Sequence, residues 1–210
     1  MISEALRSTN KKPKVLIQSS AVGFYGPLAA EIVDENFPNG DDFLAKVCQE
    51  WEDSTKPVES LGVRRVVIRT GLVFSEGGGI LTLLKLPFSL FVGGPLGNGK
   101  QYLPWIHMDD VVNGIRFLMD NEGTQGIYNF SSPNPINNKD FSKTLGKAMK
   151  RPSLVPVPSF AMKLALGEAT TLALDGQRVV PKRLLEAGYI FKYQTLEDAS
   201  PSLLNPVKYY

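Results

Sequence analysis

Apolar residues in this chain fall alternately into short unbroken runs and into helical spacing. Val15-Leu16-Ile17 is the first run, and Val66-Val67-Ile68, inside residues 63–70, is the second. Unbroken apolar runs mark strands buried on both faces, as in parallel sheets. Between them, residues 41–61 carry Phe43, Leu44, Val47, Cys48 and Trp51 at helical spacing, which predicts a helix with those five on its buried face. Asp41 or Asp42 supplies the cap, Pro57 ends the regular part and Gly62 closes it. Strand, helix, strand is a βαβ unit, so the two strands are predicted to be parallel with a right-handed crossover.

Past Gly77-Gly78-Gly79 the pattern predicts an apolar helix over 80–91 and a glycine-rich loop over 93–99. A short strand over 102–107, a helix capped by Asp109 and a strand over 127–130 follow. Then prolines 133, 135, 152, 156 and 158 punctuate the chain, with helices predicted over 139–149, 160–174 and 181–187. The fold class is α/β. The change of texture places a domain boundary near 149–152, giving residues 1–150 and a small, partly helical unit over 151–210.

One cysteine, Cys48, and one histidine, His107, exclude an internal disulfide, a cysteine-rich zinc site and a multi-histidine metal site. The formal charge of +2 is scattered over Lys11, Lys12 and Lys14, Arg64 and Arg65, and Lys182 and Arg183. No aromatic RNA-binding signature accompanies it, so no nucleic-acid partner is expected. No apolar run approaches the length of a membrane span and the first fourteen residues are polar, so the expectation is a cytoplasmic protein with no membrane partner.

Gln18-Ser19-Ser20-Ala21-Val22-Gly23-Phe24-Tyr25-Gly26 follows the first strand. Serines at the carboxyl end of a buried parallel strand lie where open α/β sheets bind ligands. Arg69, ending the second strand, is either a fixed cation for phosphate or carboxylate or half of a structural ion pair. Residues 94–100 fit the spacing of a phosphate loop, but Gln101 stands where Ser or Thr would hold magnesium and a strand follows, so they read as a substrate-side loop. Adjacent Asp109 and Asp110 point apart on a helix, which suits a cap better than a catalytic pair. His107 is a general base or a structural histidine, and Cys48 a buried, inert thiol.

Six segments carry a resemblance. They are Ser-Ala-Val-Gly-Phe-Tyr-Gly (20–26), Asp-Asp-Phe-Leu-Ala-Lys-Val-Cys-Gln-Glu-Trp-Glu (41–52), Gly-Gly-Pro-Leu-Gly (93–97), Trp-Ile-His-Met-Asp-Asp (105–110), Asn-Pro (134–135) and Leu-Asp-Gly-Gln-Arg-Val-Val-Pro-Lys-Arg (174–183). Together they resemble the extended short-chain dehydrogenase/reductases, the clan of nucleoside-diphosphate-sugar epimerases, and within it the atypical "epimerase family protein" branch. Some members of that branch carry a cell-division-inhibitor label.

The resemblance implies a Rossmann-type parallel sheet binding NADP or NAD, with a small carboxy-terminal domain. It puts Ser19, Ser20 and Ala21 beside the nicotinamide, with Leu72 and Val73 touching the cofactor through backbone and Arg69 counted among the cofactor-binding residues. Tyr25, Gly94, Gly97 and Trp105 fall on the side of a small-molecule substrate, with Ser20 and Tyr25 as the catalytic pair. Two departures stand out. No tyrosine has a lysine four residues later; the matching helix offers Asp42 with Lys46, Phe43 with Val47 and Leu44 with Cys48. No Gly-x-Gly-x-x-Gly turn is present, so the sheet is expected to be incomplete, its first strands missing, in an amino-terminally truncated member. Weak or absent cofactor binding by this chain and self-association through the exposed edge of strand 14–19 follow as expectations. The implied function is an epimerase-like NAD(P)-dependent oxidoreductase, inactive or impaired as this chain; the alternative is a non-catalytic NADP(H)-binding sensor or scaffold linked to cell division.

Overall fold

The computed structural model describes residues 2–28, 30–154, 156 and 176–204. A short helix α1 (Ile2–Ser8) leads into a parallel sheet of β1 (Val15–Ala21), β3 (Arg64–Thr70) and β7 (Gly126–Phe130), ordered β1-β3-β7. β1 and β3 are parallel, as the βαβ reading requires, with register running from Val15↔Arg64 to Ala21↔Thr70. Val66, Val67 and Ile68 are buried in the central strand, which explains their unbroken apolar run. One sheet face, carrying Val15, Ile17, Val66, Ile68, Tyr128 and Phe130, packs against Ile115 and Leu118 of α4 (Met108–Asp120). The other face meets α2 (Phe43–Thr55).

The predicted orientation of α2 is wrong. Cys48 is buried as expected, but its buried companions are Ala45, Glu52 and Thr55. Phe43, at 77% exposure, Leu44 and Trp51 face outward. Small side chains let the helix lie close on β1, and Glu52 is drawn inward by cations and hydroxyls on the sheet. Asp42 is the cap, its carboxylate accepting the Ala45 N–H at 2.8 Å. Beyond Thr55 the chain tightens into a 3-10 turn with Pro57 near its start, ending at Gly62 with φ +75°.

A second apolar core gathers Phe74, Leu84, Phe88, Leu103, Trp105 and Phe141. β4 (Leu72–Phe74) pairs in parallel with β6 (Trp105–His107), and β5 (Tyr102–Leu103) pairs antiparallel with β8 (Ile136–Asn137). Pro104 divides the single strand predicted over 102–107 into β5 and β6. α3 (Gly79–Ser89), α5 (Asn138–Met149) and α7 (Leu196–Leu204) contribute to this core. β2 (Ile32–Val33) and β9 (Arg178–Val179) form a separate parallel pair, followed by α6 (Lys182–Glu186). The helix predicted over 160–174 lies outside the described residues. The cap of α4 is not Asp109 but His107, whose Nδ1 accepts the Asp109 N–H at 3.0 Å.

Candidate functional site

β1 delivers its last residues to the carboxyl edge of the sheet, where side chains alternate between faces. Ser19 is exposed, Ser20 buried and Ala21 half-buried. The chain then tightens into a 3-10 turn over Val22–Tyr25, ending at Gly26 with φ +71°. Gly40 lies against it so closely that a Cβ there would meet the Gly26 backbone at 2.8 Å. The Gly40 N–H and the Asn39 amide both donate to the Phe24 carbonyl at 2.9 Å.

Beneath this turn lies a buried polar network. The Ser20 hydroxyl donates to Glu52 Oε1 at 2.8 Å. Arg69 donates Nε to the same oxygen at 2.8 Å and Nη2 to Oε2 at 2.9 Å. Its guanidinium lies 3.3 Å from the Phe24 ring centroid and 4.9 Å from that of Tyr25. Of the two sequence readings of Arg69, the ion pair is therefore present; its Nη1, buried and without a partner, is the one donor left over. Tyr25 is 2% exposed and donates its hydroxyl to Asn129 Oδ1 at 2.7 Å. Burial pushes the Tyr25 pKa up to about 12, against the lowering effect of Arg69. Asn129 passes the network on, its amide donating to the Val180 carbonyl at 3.1 Å and its N–H to Glu35 Oε1 at 3.0 Å. Burial holds the Glu35 carboxyl above its ordinary value.

Ser20, Arg69 and Tyr25 are thus brought together, but as buried groups already bonded to protein. Glu52, Asn129 and Glu35 were missed in the sequence. Glu52 had a signal: Ala45, Cys48, Glu52 and Thr55 recur at helical spacing beside the bulkier stripe of Phe43, Leu44, Val47 and Trp51.

The groups open to a ligand lie just above this network. β3 runs through Gly71 directly into β4. Leu72 donates its N–H to the Pro104 carbonyl at 2.7 Å. Alternation therefore turns the N–H and C=O of Val73 to the opposite edge, where β4 has no strand partner among the described residues. With the exposed Ser19 hydroxyl, these backbone groups fit a ligand that presents an amide, while Arg69 Nη1 stays buried behind them.

The substrate-side candidates divide. Gly97, exposed at φ +56°, sits in an open loop, while Gly94 is buried and Trp105 is enclosed in the second core, its ring stacked 5.7 Å from Phe74. Leu96 N–H donates to Asn138 Oδ1 at 2.6 Å, and a strand follows this loop, so it is not a phosphate loop. His107 is committed as well. Its Nδ1 accepts from Asp109, so the ring proton sits on Nε2, 3.0 Å from Ser202 Oγ. That tautomer cannot take a proton from Ser202, whose hydroxyl donates to the Ala199 carbonyl at 2.8 Å. Asp110 is buried and accepts the Tyr189 hydroxyl and the N–H groups of Lys192 and Tyr193, while Asp109 turns to Lys192 Nζ. The Cys48 thiol is buried and its pKa pushed up by burial, as an inert thiol should be. No group of three metal-ligating side chains occurs among the described residues.

Comparison with known proteins places this geometry in a family. A domain of unknown function (DUF1731) matches residues 157–200. The chloroplastic homologue of epimerase family protein SDR39U1 from Arabidopsis thaliana is 42% identical over 193 residues, covering 92% of this chain and 55% of the relative. Epimerase family protein YfhF from Bacillus subtilis is 37% identical over 204 residues, 97% of this chain and 67% of its own. Among solved structures, human epimerase family protein SDR39U1 (isoform 2) with NADPH superposes with a TM-score of 0.87 at 30% identity, over 96% of this chain and 69% of that one. A nucleoside-diphosphate sugar epimerase from Corynebacterium glutamicum gives a TM-score of 0.80 at 33% identity, over 97% and 40%. The chain spans about half to two thirds of the length of these two curated relatives. Matched along almost its whole length, with the Rossmann-like α/β fold of its solved neighbours, the chain belongs to the epimerase family proteins.

Proposed function

We propose that this protein supplies the nicotinamide and substrate side of an NADP(H)-dependent, epimerase-type oxidoreductase acting on a small molecule. One observation carries the reading: an exposed serine near the end of β1 and an unpaired strand backbone just beyond β3 both lie toward the carboxyl edge of a parallel sheet, in a chain similar to a human protein solved with NADPH. When bound, NADP(H) supplies hydride transfer. Ser19 and Ala21 line its nicotinamide, Val73 meets it through backbone, and Leu72, already bonded to Pro104, and the buried Arg69 stand behind them. Ser20 and Tyr25 act from beneath by fixing the turn, while Gly94, Gly97 and Trp105 shape the substrate side. Residues 1–150 form the cofactor-side domain and 151–210 the small second one.

Saturation-transfer NMR with NADPH and with reduced nicotinamide mononucleotide tests this. Nicotinamide protons should receive more transfer than adenine protons, and Ser19→Phe, at an exposed position, should abolish it. Equal or greater transfer to adenine, or no contact from either probe, would sink the reading. A second reading, cofactor binding without turnover, draws support from the burial of both hydroxyls, Ser20 and Tyr25. It predicts the same NMR contacts with no NADPH oxidation across a panel of carbonyl compounds and nucleotide sugars.

A further inference from the structure

The described segments that make one face, α3, the chain just after it and the end of α5, are apolar on that side and carry no carboxylate of their own. Leu83, Leu86, Leu90, Phe91 and Val92 are each 47–64% exposed, and Leu154 is 82% exposed. Leu83, Leu86 and Leu90 recur at helical spacing and form one stripe, continued by Phe91 and Val92. The opposite side of α3, with Leu81, Leu84 and Phe88, is buried in the second core. Scattered exposed apolar residues are ordinary, but a contiguous stripe marks an interaction surface. Phe91 adds strain. It holds φ +63°, a conformation bulky residues rarely take, and the ring stands outward beside the Arg151 guanidinium, 4.3 Å from its centroid.

Charge identifies what this face meets. No Asp or Glu occurs between Glu76 and Asp109, nor between Asp140 and Glu168. Those stretches contribute α3, its following loop and the part of α5 after Asp140, and they bear Lys85, Lys147, Lys150 and Arg151. Lys147 and Lys150 are exposed, and Arg151 lies on Phe91 itself. An apolar stripe with cations beside it, on described segments that carry no carboxylate, is complementary to anionic headgroups above an acyl layer. We infer that this face docks on an anionic lipid bilayer, with Leu83, Leu86, Leu90 and Phe91 entering the headgroup–acyl boundary while Lys147, Lys150 and Arg151 meet lipid phosphates. The sequence-based expectation of no membrane partner rested on the lack of a spanning segment. Among the described residues no helix is long and apolar enough to cross a membrane, and peripheral docking needs none. The inference is independent of the cofactor reading.

Vesicle flotation of the full chain tests it, because aggregated protein does not float. The protein should rise with phosphatidylcholine vesicles containing phosphatidylglycerol, not with phosphatidylcholine alone, and added salt should release it. Lys147→Glu should weaken binding at least about fivefold. The triple variant Leu86→Ser, Leu90→Ser, Phe91→Gly should weaken it more than about tenfold. These positions are exposed and glycine suits the Phe91 backbone, so circular dichroism should show unchanged folding. The inference is overturned by no flotation with phosphatidylglycerol, or by equal flotation on both vesicles that ignores Lys147→Glu. It is equally overturned by a solution oligomer that the triple variant dissociates, which would assign the face to a protein partner.

Discussion

Glu52 is the residue on which the serine turn rests. Its two oxygens accept from Ser20 and twice from Arg69, and Arg69 in turn lies against the Phe24 ring. Removing one member of such a buried pair strands the other charge, at a cost of about 3–5 kcal/mol. Glu52→Gln should therefore lower stability by that order, read from urea unfolding. Replacing both charges, Glu52→Leu with Arg69→Met, should recover most of the loss, because packed apolar groups of similar volume substitute well for a buried pair. A single-variant loss below about 1 kcal/mol would mean the pair is solvated rather than buried. The sequence pointed to Ser20, Tyr25 and Arg69 because polar groups at strand ends are conspicuous. Glu52 carried only the spacing it shares with Ala45, Cys48 and Thr55, and Asn129 carried no signal, since a carboxylate within a helix and an amide within a strand are ordinary until the fold brings them together.

At the scale of elements, α4 begins on a side chain that titrates. The His107 imidazole must be unprotonated at Nδ1 to accept the Asp109 N–H, and burial lowers its pKa. Asp109 and Asp110 oppose that shift, Lys192 adds to it, and Tyr193 covers the ring at 4.1 Å. A lowered folded-state pKa means the unfolded chain binds the proton more readily. Stability is then full above the unfolded value, about 6.5, and declines as pH falls toward the lower folded value. His107→Asn, which keeps an acceptor at the cap, should flatten this part of the pH–stability curve between about pH 7 and 5. Thermal melts across that range measure it, and an unchanged slope would show that another group titrates. Aspartate before a helix is so common a cap that Asp109 looked sufficient. That histidine plays the part depends on Ser202 and Tyr193, which reach it from residues far along the chain. The α2 error has a similar origin. Periodicity locates an amphipathic face but does not say which side the sheet takes when a second stripe of small residues lies beside it. Pairs as short as β2 with β9 leave no periodic signal at all.

For the whole molecule, the βαβ order, the parallel direction of its strands and the placement of the serine turn were legible, because unbroken apolar runs and a Gly-closed helix are strong local signals. The second core was not, since it is assembled from two- and three-residue strands and from helices widely separated in sequence. One property of the whole follows from sheet order alone. β1 is paired only with β3 among the described residues, so a seven-residue parallel strand offers its other edge, with the Ser19 hydroxyl exposed beside it. Parallel sheets are ordinarily covered, and an open edge of this length is a template for another strand. In sedimentation velocity the chain should therefore self-associate increasingly with concentration. Ser19→Lys should shift it toward monomer, because two edges meeting there would bring like charges together. The bilayer face and the β1 edge lie on different elements, so the edge substitution should leave vesicle flotation intact while suppressing self-association. A monodisperse monomer at all concentrations, with a cooperative melt, would show that this edge is closed in solution.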